Sequence, residues 1–524
     1  MENNVTMSNE LRDIPASKFE FVQSNEVLHD KVLETKPVGY FKGAFKRFCK
    51  NKGAIVASCV ILVLVLFALI APICTPYSVS FTDDLYRGTL PKATVFAKTS
   101  FWDGCESVTV GEQEYIKLRA MGEETGHYAI KDQKVERTDD GLYRFRRDTY
   151  HKNGMVYINL LPDEYEKLQQ YQNETGIQVI YPTVREKDRP ESQNDKGDAN
   201  YYYRTKRASG GVTQIVLDAD GNVIPVYRDY PAANPSDNYH SLRIEGDGFD
   251  KNGVTYQYAY AAVKGNSYEV RVNYYEYFIY NHTYVLKDGI KKPSFLFGTT
   301  NMGQDILTCL ASGARFSFIF AIAVAIVNMI VGAIYGSIEG FYGGKIDLVM
   351  ERVSDILSAV PSMIVITLFK YYLRGSSDIL VLFFSFFLTG WIGMAGTTRM
   401  QFYRFKNQEY VLAARTLGAK DRRLMFKHIF PNAIGTLVTS CALVIPSMIY
   451  SEVNLTYLGI INLSAGSEIT SVGTLIAAGQ SAFTTAPFIV LFPTVFLTLL
   501  MLSFNLFGNG LRDAFNPSLR GSEG

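Results

Sequence analysis

Residues 54–73 read AIVASCVILVLVLFALIAPI, an unbroken run without a charged side chain. A backbone in hydrocarbon has no water to bond, and each unsatisfied N–H or C=O there costs several kcal/mol. A helix satisfies its own groups, and about 20 residues of it reach across a bilayer core. The run therefore reads as a membrane span. About 50 residues of polar tail precede it, too many for the n-region of a signal peptide, and Ala71-Pro72-Ile73 ahead of Cys74 lacks the small residue of a lipoprotein cleavage site. The span is expected to stay as an anchor.

Outward from this run the composition divides. Hydrophobic residues make up 47% of the 524-residue chain and mean hydropathy is +0.02, averages a soluble protein could show. The apolar residues nevertheless concentrate in the first run and again from about residue 315, leaving a polar, Tyr-rich stretch between. Five further spans are predicted, at 316–338 (FSFIFAIAVAIVNMIVGAIYGSI), 356–373, 379–397, 434–455 and 487–508. The third has Pro361 near its start and Lys370 near its end. Pro446 and Pro493 fall inside the last two, where neighbouring helices can re-satisfy a kinked backbone.

Basic residues orient the spans. Lys42, Lys46, Arg47, Lys50 and Lys52 precede the first, and Arg399, Arg404, Lys406, Arg415, Lys420, Arg422, Arg423 and Lys427 lie between the fourth and fifth. The segment 456–486 has no Lys or Arg. This predicts a multi-pass plasma-membrane protein with both termini cytoplasmic, in agreement with Arg512 and Arg520, and residues 76–295 outside. The expected organisation is a cytoplasmic tail (1–53), span one (54–74), an extracytoplasmic insert (75–295), a core with five more helices (296–510) and a cytoplasmic tail (511–524). A formal net charge of +1 argues against nucleic acid as a partner. Of the six cysteines only Cys105 falls in the insert, so no disulfide framework is expected there, and no CxxC or Cys/His cluster suggests a metal.

The insert carries mostly β signals. Asp140-Gly141, Asn153-Gly154, Asp220-Gly221, Asn252-Gly253 and Gly265-Asn266 are turn dipeptides flanked by Tyr/Val/Ile-rich runs. Tyr256-Gln257-Tyr258 and residues 268–272 alternate as half-buried strands do. One helix is predicted at 162–174, opened by Pro162 and Asp163 and ended before Gly176, and the charged run Arg185–Asn200 reads as a loop. The tyrosines could form a binding surface or fill strand faces of a small sandwich.

Residues 407–432 (NQEYVLAARTLGAKDRRLMFKHIFPN) form a basic segment between spans four and five, too long for a tight loop. It is patterned as two short helices. Asn407 can cap the first, which carries Tyr410, Val411, Ala413, Ala414 and Leu417 on overlapping faces, and Gly418 suits the left-handed position that ends it. The second, at about 420–430, points Leu424, Met425, Phe426, Ile429 and Phe430 inward and is expected to stop at Pro431. On patterning alone an amphipathic hairpin lying on the membrane is an equal reading.

The segment resembles the coupling-helix signature of ABC importer permeases, Glu-Ala-Ala, three residues, Gly, nine residues, Ile-x-Leu-Pro. Ala413-Ala414, Gly418 and Pro431 match at that spacing, while Leu412, His428 and Phe430 depart from it. Tyr-Val-x-Ala-Ala-x-x-x-Gly followed by His-x-x-Pro-Asn is similar to the oligopeptide/dipeptide/nickel subfamily. Its C-type subunit is also resembled by Phe297-Gly298-Thr299-Thr300-x-x-Gly303-Gln304-Asp305, Gly313-Ala314-Arg315-Phe316-Ser317, Gly340–Gly344 with Asp347, Glu452-x-x-Leu455-Thr456-Tyr457-Leu458-Gly459 and Asn505–Asp513. The resemblance covers roughly 42–76 and 295–520 and leaves out the insert, which is large for such a subunit.

The resemblance implies an all-α polytopic membrane protein of six transmembrane helices, the type I ABC importer permease fold, with a β-rich (α+β) extracytoplasmic domain inserted between helices one and two. It implies a non-catalytic subunit that moves oligopeptides inward, with dipeptides or nickel as the alternatives. The implied partners are a second, B-type permease, two cytoplasmic ABC ATPases that hold ATP and Mg, and an external peptide-binding lipoprotein. This chain is expected to bind no cofactor: Gly343-Gly344-Lys345-Ile346 lacks the upstream Gly and the Ser/Thr of a P-loop. ATPase coupling is assigned by resemblance to Glu409, Tyr410, Val411, Ala413, Ala414, Leu417, Gly418, His428 and Pro431. Polar groups at membrane depth are functional candidates by default, which singles out Asn328 and Glu452 for the translocation path, against hydrogen bonding to the partner permease for Asn328 and structural pairing for Glu452. Two other classes compete with this reading. A mechanotransmission or efflux subunit also carries a large external domain after its first span, but has four spans and no such hairpin. A membrane-anchored enzyme or sensor would act through the insert, where His127, His151, His240 and His282 show no metal or triad spacing.

Overall fold

The computed structural model describes residues 40–96, 102–183, 199–200, 205–207, 213–215, 219, 239–240, 248–251, 254–257, 259–463 and 471–515. Its helices are α1 (Tyr40–Phe48), α2 (Lys52–Cys74), α3 (Glu112–Thr125), α4 (Pro162–Thr175), α5 (Tyr274–Tyr280), α6 (Ile306–Tyr342) and α7 (Gly344–Ser358). There follow α8 (Ser362–Tyr372), α9 (Asp378–Phe405), α10 (Glu409–Thr416), α11 (Asp421–Tyr457), α12 (Val472–Gln480) and α13 (Phe488–Phe515). The charged run 185–198, the dipeptides Asp220-Gly221 and Asn252-Gly253, Tyr258 and Arg520 lie outside the described residues.

Among the described residues five helices, α2, α6, α9, α11 and α13, are long and apolar enough to cross a membrane. The third expected span corrects the sequence reading. Instead of one helix over 356–373, α7 and α8 meet at a 76° bend. Pro361 is the cause, because its ring disfavours helical backbone at the residue before it. The 11 residues of α8 rise only about 16 Å, short of a bilayer core on their own. The bent pair is a broken span or a re-entrant loop. Pro446 and Pro493 do lie within continuous helices, as expected.

The bundle is drawn together by small residues. A Cβ on Gly332, Gly336 or Gly340 of α6 would fall 2.6, 2.1 and 2.8 Å from the carbonyl oxygens of Trp391, Ala395 and Arg399 on α9. Spaced four apart, these glycines form a groove along α6 into which the α9 backbone packs, the means by which helices associate where lipid is as apolar as a side chain. A larger core gathers Leu64 and Ala68 of α2, Leu310 and Phe318 of α6, Val453 of α11 and Phe496 and Leu500 of α13.

Between α2 and α6 the chain forms an α+β domain. Its strands include β1 (Cys105–Val110), β2 (Ile130–Arg137), β3 (Tyr143–Asp148), β4 (Met155–Leu160) and β5 (Ile180–Tyr181), followed by β6 (Thr205–Arg207), β7 (Thr213–Ile215), β8 (Tyr239–His240), β9 (Gly248–Lys251), β10 (Val254–Gln257), β11 (Ala261–Lys264) and β12 (Ser267–Asn273). One sheet has the order β1-β3-β2. A second runs β4-β12-β11-β8, with β5 also on β12, and β9 with β10 and β6 with β7 form two-stranded pairs. The expected turns at Gly141 and Gly265 are present, with φ of +76° and +59°, and join β2 to β3 and β11 to β12. The predicted helix over 162–174 is α4, ended by left-handed Gly176. Helices α3 and α5 were not expected. Arg271, fully buried on β12, ties the two halves: it bonds Glu124 of α3 at 3.1 and 3.2 Å and the carbonyls of Ala199 and Pro182 at 2.7 and 2.8 Å. Many tyrosines are core residues, among them Tyr165, Tyr171, Tyr260 and Tyr280.

The domain is seated on the bundle through residues 297–305. Gly303 (φ +74°) lies so close to Asp83 that a Cβ would sit 1.8 Å from its carbonyl oxygen. The Thr89 N–H donates to Thr299 Oγ1 at 2.8 Å, and the Gly88 N–H to the Thr300 carbonyl at 3.1 Å. Asp305 then caps α6, accepting from the Thr308 N–H at 2.9 Å and its hydroxyl at 2.6 Å. Phe297 stacks on Phe492 of α13 at 4.3 Å between centroids, with Trp102 of the domain against the same ring at 5.7 Å.

Candidate functional site

The elbow between α9 and α11 is built on one buried apolar cluster. Val411 of α10, Leu424, Met425 and Ile429 of α11, Phe402 of α9 and Phe341 of α6 meet there, with Ala414 and Phe430 packed against them. Val411 points inward because it lies one turn from Ala414 on the same helix face. The neighbours on the other face point out: Leu412, Tyr410 and Leu417 are 44%, 41% and 88% exposed, and Glu409 and Ala413 are exposed too. The Asn432 amide donates to Tyr410 Oη at 3.2 Å and to the His428 carbonyl at 2.8 Å, fixing the open end of the elbow to the start of the next span. Among the sequence candidates, only Val411 and Ala414 enter the shared cluster, and the others form the rim or the outward surface.

Three local details differ from the sequence reading. Gln408, not Asn407, occupies the position before α10, and no side chain caps it. Gly418 has φ +83° and its N–H donates to the Arg415 carbonyl at 3.0 Å, the left-handed ending that was expected. Pro431 does not stop a helix. It sits at the first turn of the α-helical part of the span, where a missing N–H is tolerated because the preceding residues 424–429 take a π-turn that shifts the bonding register. The second short helix thus runs straight into the membrane helix, and Phe426 lies outside the cluster at 48% exposed.

An ionic knot beside the elbow was not foreseen as a unit. The Arg399 guanidinium on α9 donates to both carboxylate oxygens of Asp347 on α7, at 2.7 and 2.9 Å, and to both of Glu351, at 2.7 and 3.1 Å. Glu339 of α6 lies 3.6 Å away, Tyr403 Oη donates to Asp347, and Lys406 Nζ donates to the Gly340 carbonyl at 3.0 Å. Asp347 is the only buried residue of α7, so α7 is fastened to α9 by charge rather than by an apolar face. The signals were separate in the sequence, Asp347 in one motif and Arg399 in the basic stretch.

The two residues singled out at membrane depth both face inward. Asn328, 2% exposed, donates from Nδ2 to the Phe386 carbonyl at 3.5 Å and packs on Gly390, where a Cβ would meet Nδ2 at 2.3 Å. Its bond is thus to α9 of its own chain. Glu452 is fully buried. Its Oε2 accepts from the Ser317 hydroxyl at 2.6 Å, while Oε1 has no partner among the described residues. Neighbouring Thr456 meets Ser471, at the start of α12, at 3.3 Å. Both therefore join helices of this chain, Asn328 to α9 and Glu452 to α6. The six cysteines are free, and among the described residues no group of His, Cys, Asp and Glu has the geometry to hold a metal.

Comparison with known proteins agrees with this construction. Residues 329–521 match the family described as binding-protein-dependent transport system inner membrane component, and residues 39–91 match the N-terminal TM domain of oligopeptide transport permease C. The oligopeptide transport system permease protein OppC of Bacillus subtilis is 43% identical over 225 residues, which is 43% of this chain and 72% of that protein. The dipeptide transport system permease protein DppC of Lactococcus lactis is 37% identical over 228 residues, 43% of this chain and 65% of that protein. The Escherichia coli OppC is 36% identical over 224 residues, 43% of this chain and 72% of that protein. The chain belongs to the binding-protein-dependent permease family, as a non-catalytic, multi-pass membrane subunit of the oligopeptide and dipeptide branch of ABC importers.

Proposed function

We propose that this subunit moves oligopeptides inward across the plasma membrane and that the elbow receives the force of separate ATPase subunits. The observation that carries the reading is the split character of α10: Val411 locks it to α6, α9 and α11, while Leu412 and Leu417 stand in the open beside Tyr410. An exposed apolar surface on a rigidly mounted helix suits a protein cleft. Closure of the ATPases, which hold the ATP and Mg, would push α10, and α10 would carry α9 and α11 with it. Glu409, Ala413, Gly418, His428 and Pro431 shape or flank that contact. The Leu417→Asp variant should reach the membrane in normal amount yet lose uptake of a labelled oligopeptide by at least about tenfold, since a charge would have to be desolvated in the cleft. Normal uptake by this variant would sink the lever assignment.

The basic residues around the elbow support its cytoplasmic placement, with both termini on that side and residues 76–295 outside. The assembly in this reading adds a second permease and a peptide-binding lipoprotein. The insert, seated firmly on the outer end of α6, would hold that lipoprotein over the pore. Removal of residues 90–285 should weaken lipoprotein binding to the complex, and unchanged affinity would count against this role.

A further inference from the structure

Three membrane helices carry polar residues along a single face. On α11 these are Thr436, Ser440, Ser447 and Ser451, and on α13 Thr494, Thr498, Asn505 and Arg512. On α9 they are Thr397, Gln401 and Arg404. At 100° per residue, each set falls within a narrow strip of its helix, and α11 packs on both other helices. None of these residues is fully buried. The hydroxyls of Thr397, Ser451 and Thr498 donate to carbonyls one turn back at 2.8–3.0 Å, which leaves their oxygens free to accept from a solute.

The strips converge at the elbow end of the bundle. A cavity of about 190 Å³ is lined there by Gln401 and Arg404 of α9, Thr436, Thr439, Ser440 and Leu443 of α11, and Arg512 and Phe515 of α13. Gly508 sets the geometry. A Cβ there would lie 2.1 Å from Leu443 Cδ2, so its absence lets α13 close on α11 one turn before Arg512. Arg404 and Arg512 form no ion pair among the described residues, and no carboxylate lines the cavity. Two unpaired guanidinium forks beside neutral hydroxyls and an amide make a carboxylate receptor.

We propose that these strips are this subunit's wall of the peptide path, and that Arg404 and Arg512 bind the carboxylate of a passing peptide at its inner mouth. The inference rests on the peptide-import reading above. A phospholipid headgroup has similar charge, but the cavity continues a polar strip rather than the leucines exposed on α13, such as Leu502 and Leu506. A neutral polar wall holds a peptide weakly enough to release it, and the arginine pair gives its charged end a last stop.

The test uses the whole transporter in proteoliposomes, supplied with one oligopeptide as the free acid and as its C-terminal amide. In the Arg404→Gln/Arg512→Gln double variant, the ratio of free-acid to amide transport should fall about tenfold relative to wild type, the order expected for losing a charge-assisted bond. Equal loss for both peptides, or no change, would overturn the carboxylate site. Wild-type transport of neither peptide would instead break the import reading itself. A second arm does not depend on the arginines. Ser447→Cys and Thr498→Cys should react with a sulfonated, membrane-impermeant thiol reagent, and saturating peptide should slow the reaction several-fold. Reaction only with a lipid-soluble reagent would place the strips against lipid and overturn the path wall. Saturable phosphatidylglycerol binding that the double variant abolishes, with transport ratios unmoved, would reassign the cavity to a headgroup.

Discussion

The elbow and the insert are both polar additions to one apolar bundle, and they are finished in opposite ways. Among its described residues the insert gathers most of its aromatic side chains into packed cores, although Val95 and Leu286 stay 85% and 55% exposed. Arg271 is matched by Glu124 and two carbonyls, the tyrosines fill its cores, and residues 297–305 seat it on α6 through close backbone contacts. The outward face of α10 leaves apolar side chains exposed, with Leu417 at 88% and a single residue of α10 buried. The described part of the insert is thus largely self-contained, whereas the exposed apolar face of α10 is the surface proposed above to receive a partner.

The contrast can be broken most forcefully at Arg399. The Arg399→Gln variant leaves Asp347, Glu351 and Glu339 facing one another without their cation. The knot is partly open to water, so the loss of anchoring for α7 should be roughly 1–3 kcal/mol, between the values for exposed and buried pairs. Uptake should drop at least several-fold while Leu417 stays exposed, and thiol labelling of a Cys placed on α7 should rise. Unchanged uptake would show that α7 does not need the knot.

A smaller effect is expected at Gly418. Nothing lies within 4 Å of where its Cβ would be, so only the φ of +83° resists substitution. Gly418→Val should cost about 1–2 kcal/mol locally and reduce uptake a few-fold, while Gly418→Asn, which tolerates that backbone, should transport nearly as wild type. Equal loss in both variants would mean that partner contact, not backbone conformation, governs the position.

The smallest effect sharpens the description of the insert as self-contained. Burial holds the His151 imidazole neutral, lowering its pKa from 6.5 to about 4 against the opposing pull of Asp148 and Glu276 and with help from His127 and Lys92. A histidine with a depressed folded pKa contributes stability that is fully present above about pH 6.5 and is lost as pH falls through 4. The purified chain should therefore show a lower melting temperature for the insert at pH 5 than at pH 7.5. His151→Phe should shrink that difference by a few degrees, and an unaltered pH dependence would remove His151 as its source.

How much could be read in advance followed from how local each cause is. Apolar runs and their caps are local, so α2, α6, α9, α11 and α13 were legible, as were Gly418 and Gly176. The break at Pro361 was visible as a residue but not as a bend, because composition reads straight across it. Pro431 misled for the converse reason: a π-turn upstream, invisible in the pattern, converts a helix stop into a helix start. Asn328 and Glu452 were legible as polar residues within apolar helices, but the neighbours they meet, Gly390 and Ser317, come from long-range packing that the pattern does not carry. Helix α3 carries a weak apolar stripe, and the core it packs into is completed by β2 and β3, which arrive later in the chain.

In the proposed transport cycle α10 meets an ATPase. The most direct measurement places a Cys at the outermost elbow position, Leu417→Cys, and treats membranes holding the assembled transporter with a short bifunctional thiol reagent, using the unsubstituted chain as the blank for its native cysteines. The account predicts a crosslink to an ATPase subunit that strengthens or weakens when ATP is bound. Labelling of that Cys from outside intact cells, or a Cys that never joins an ATPase in the assembled complex, would contradict it.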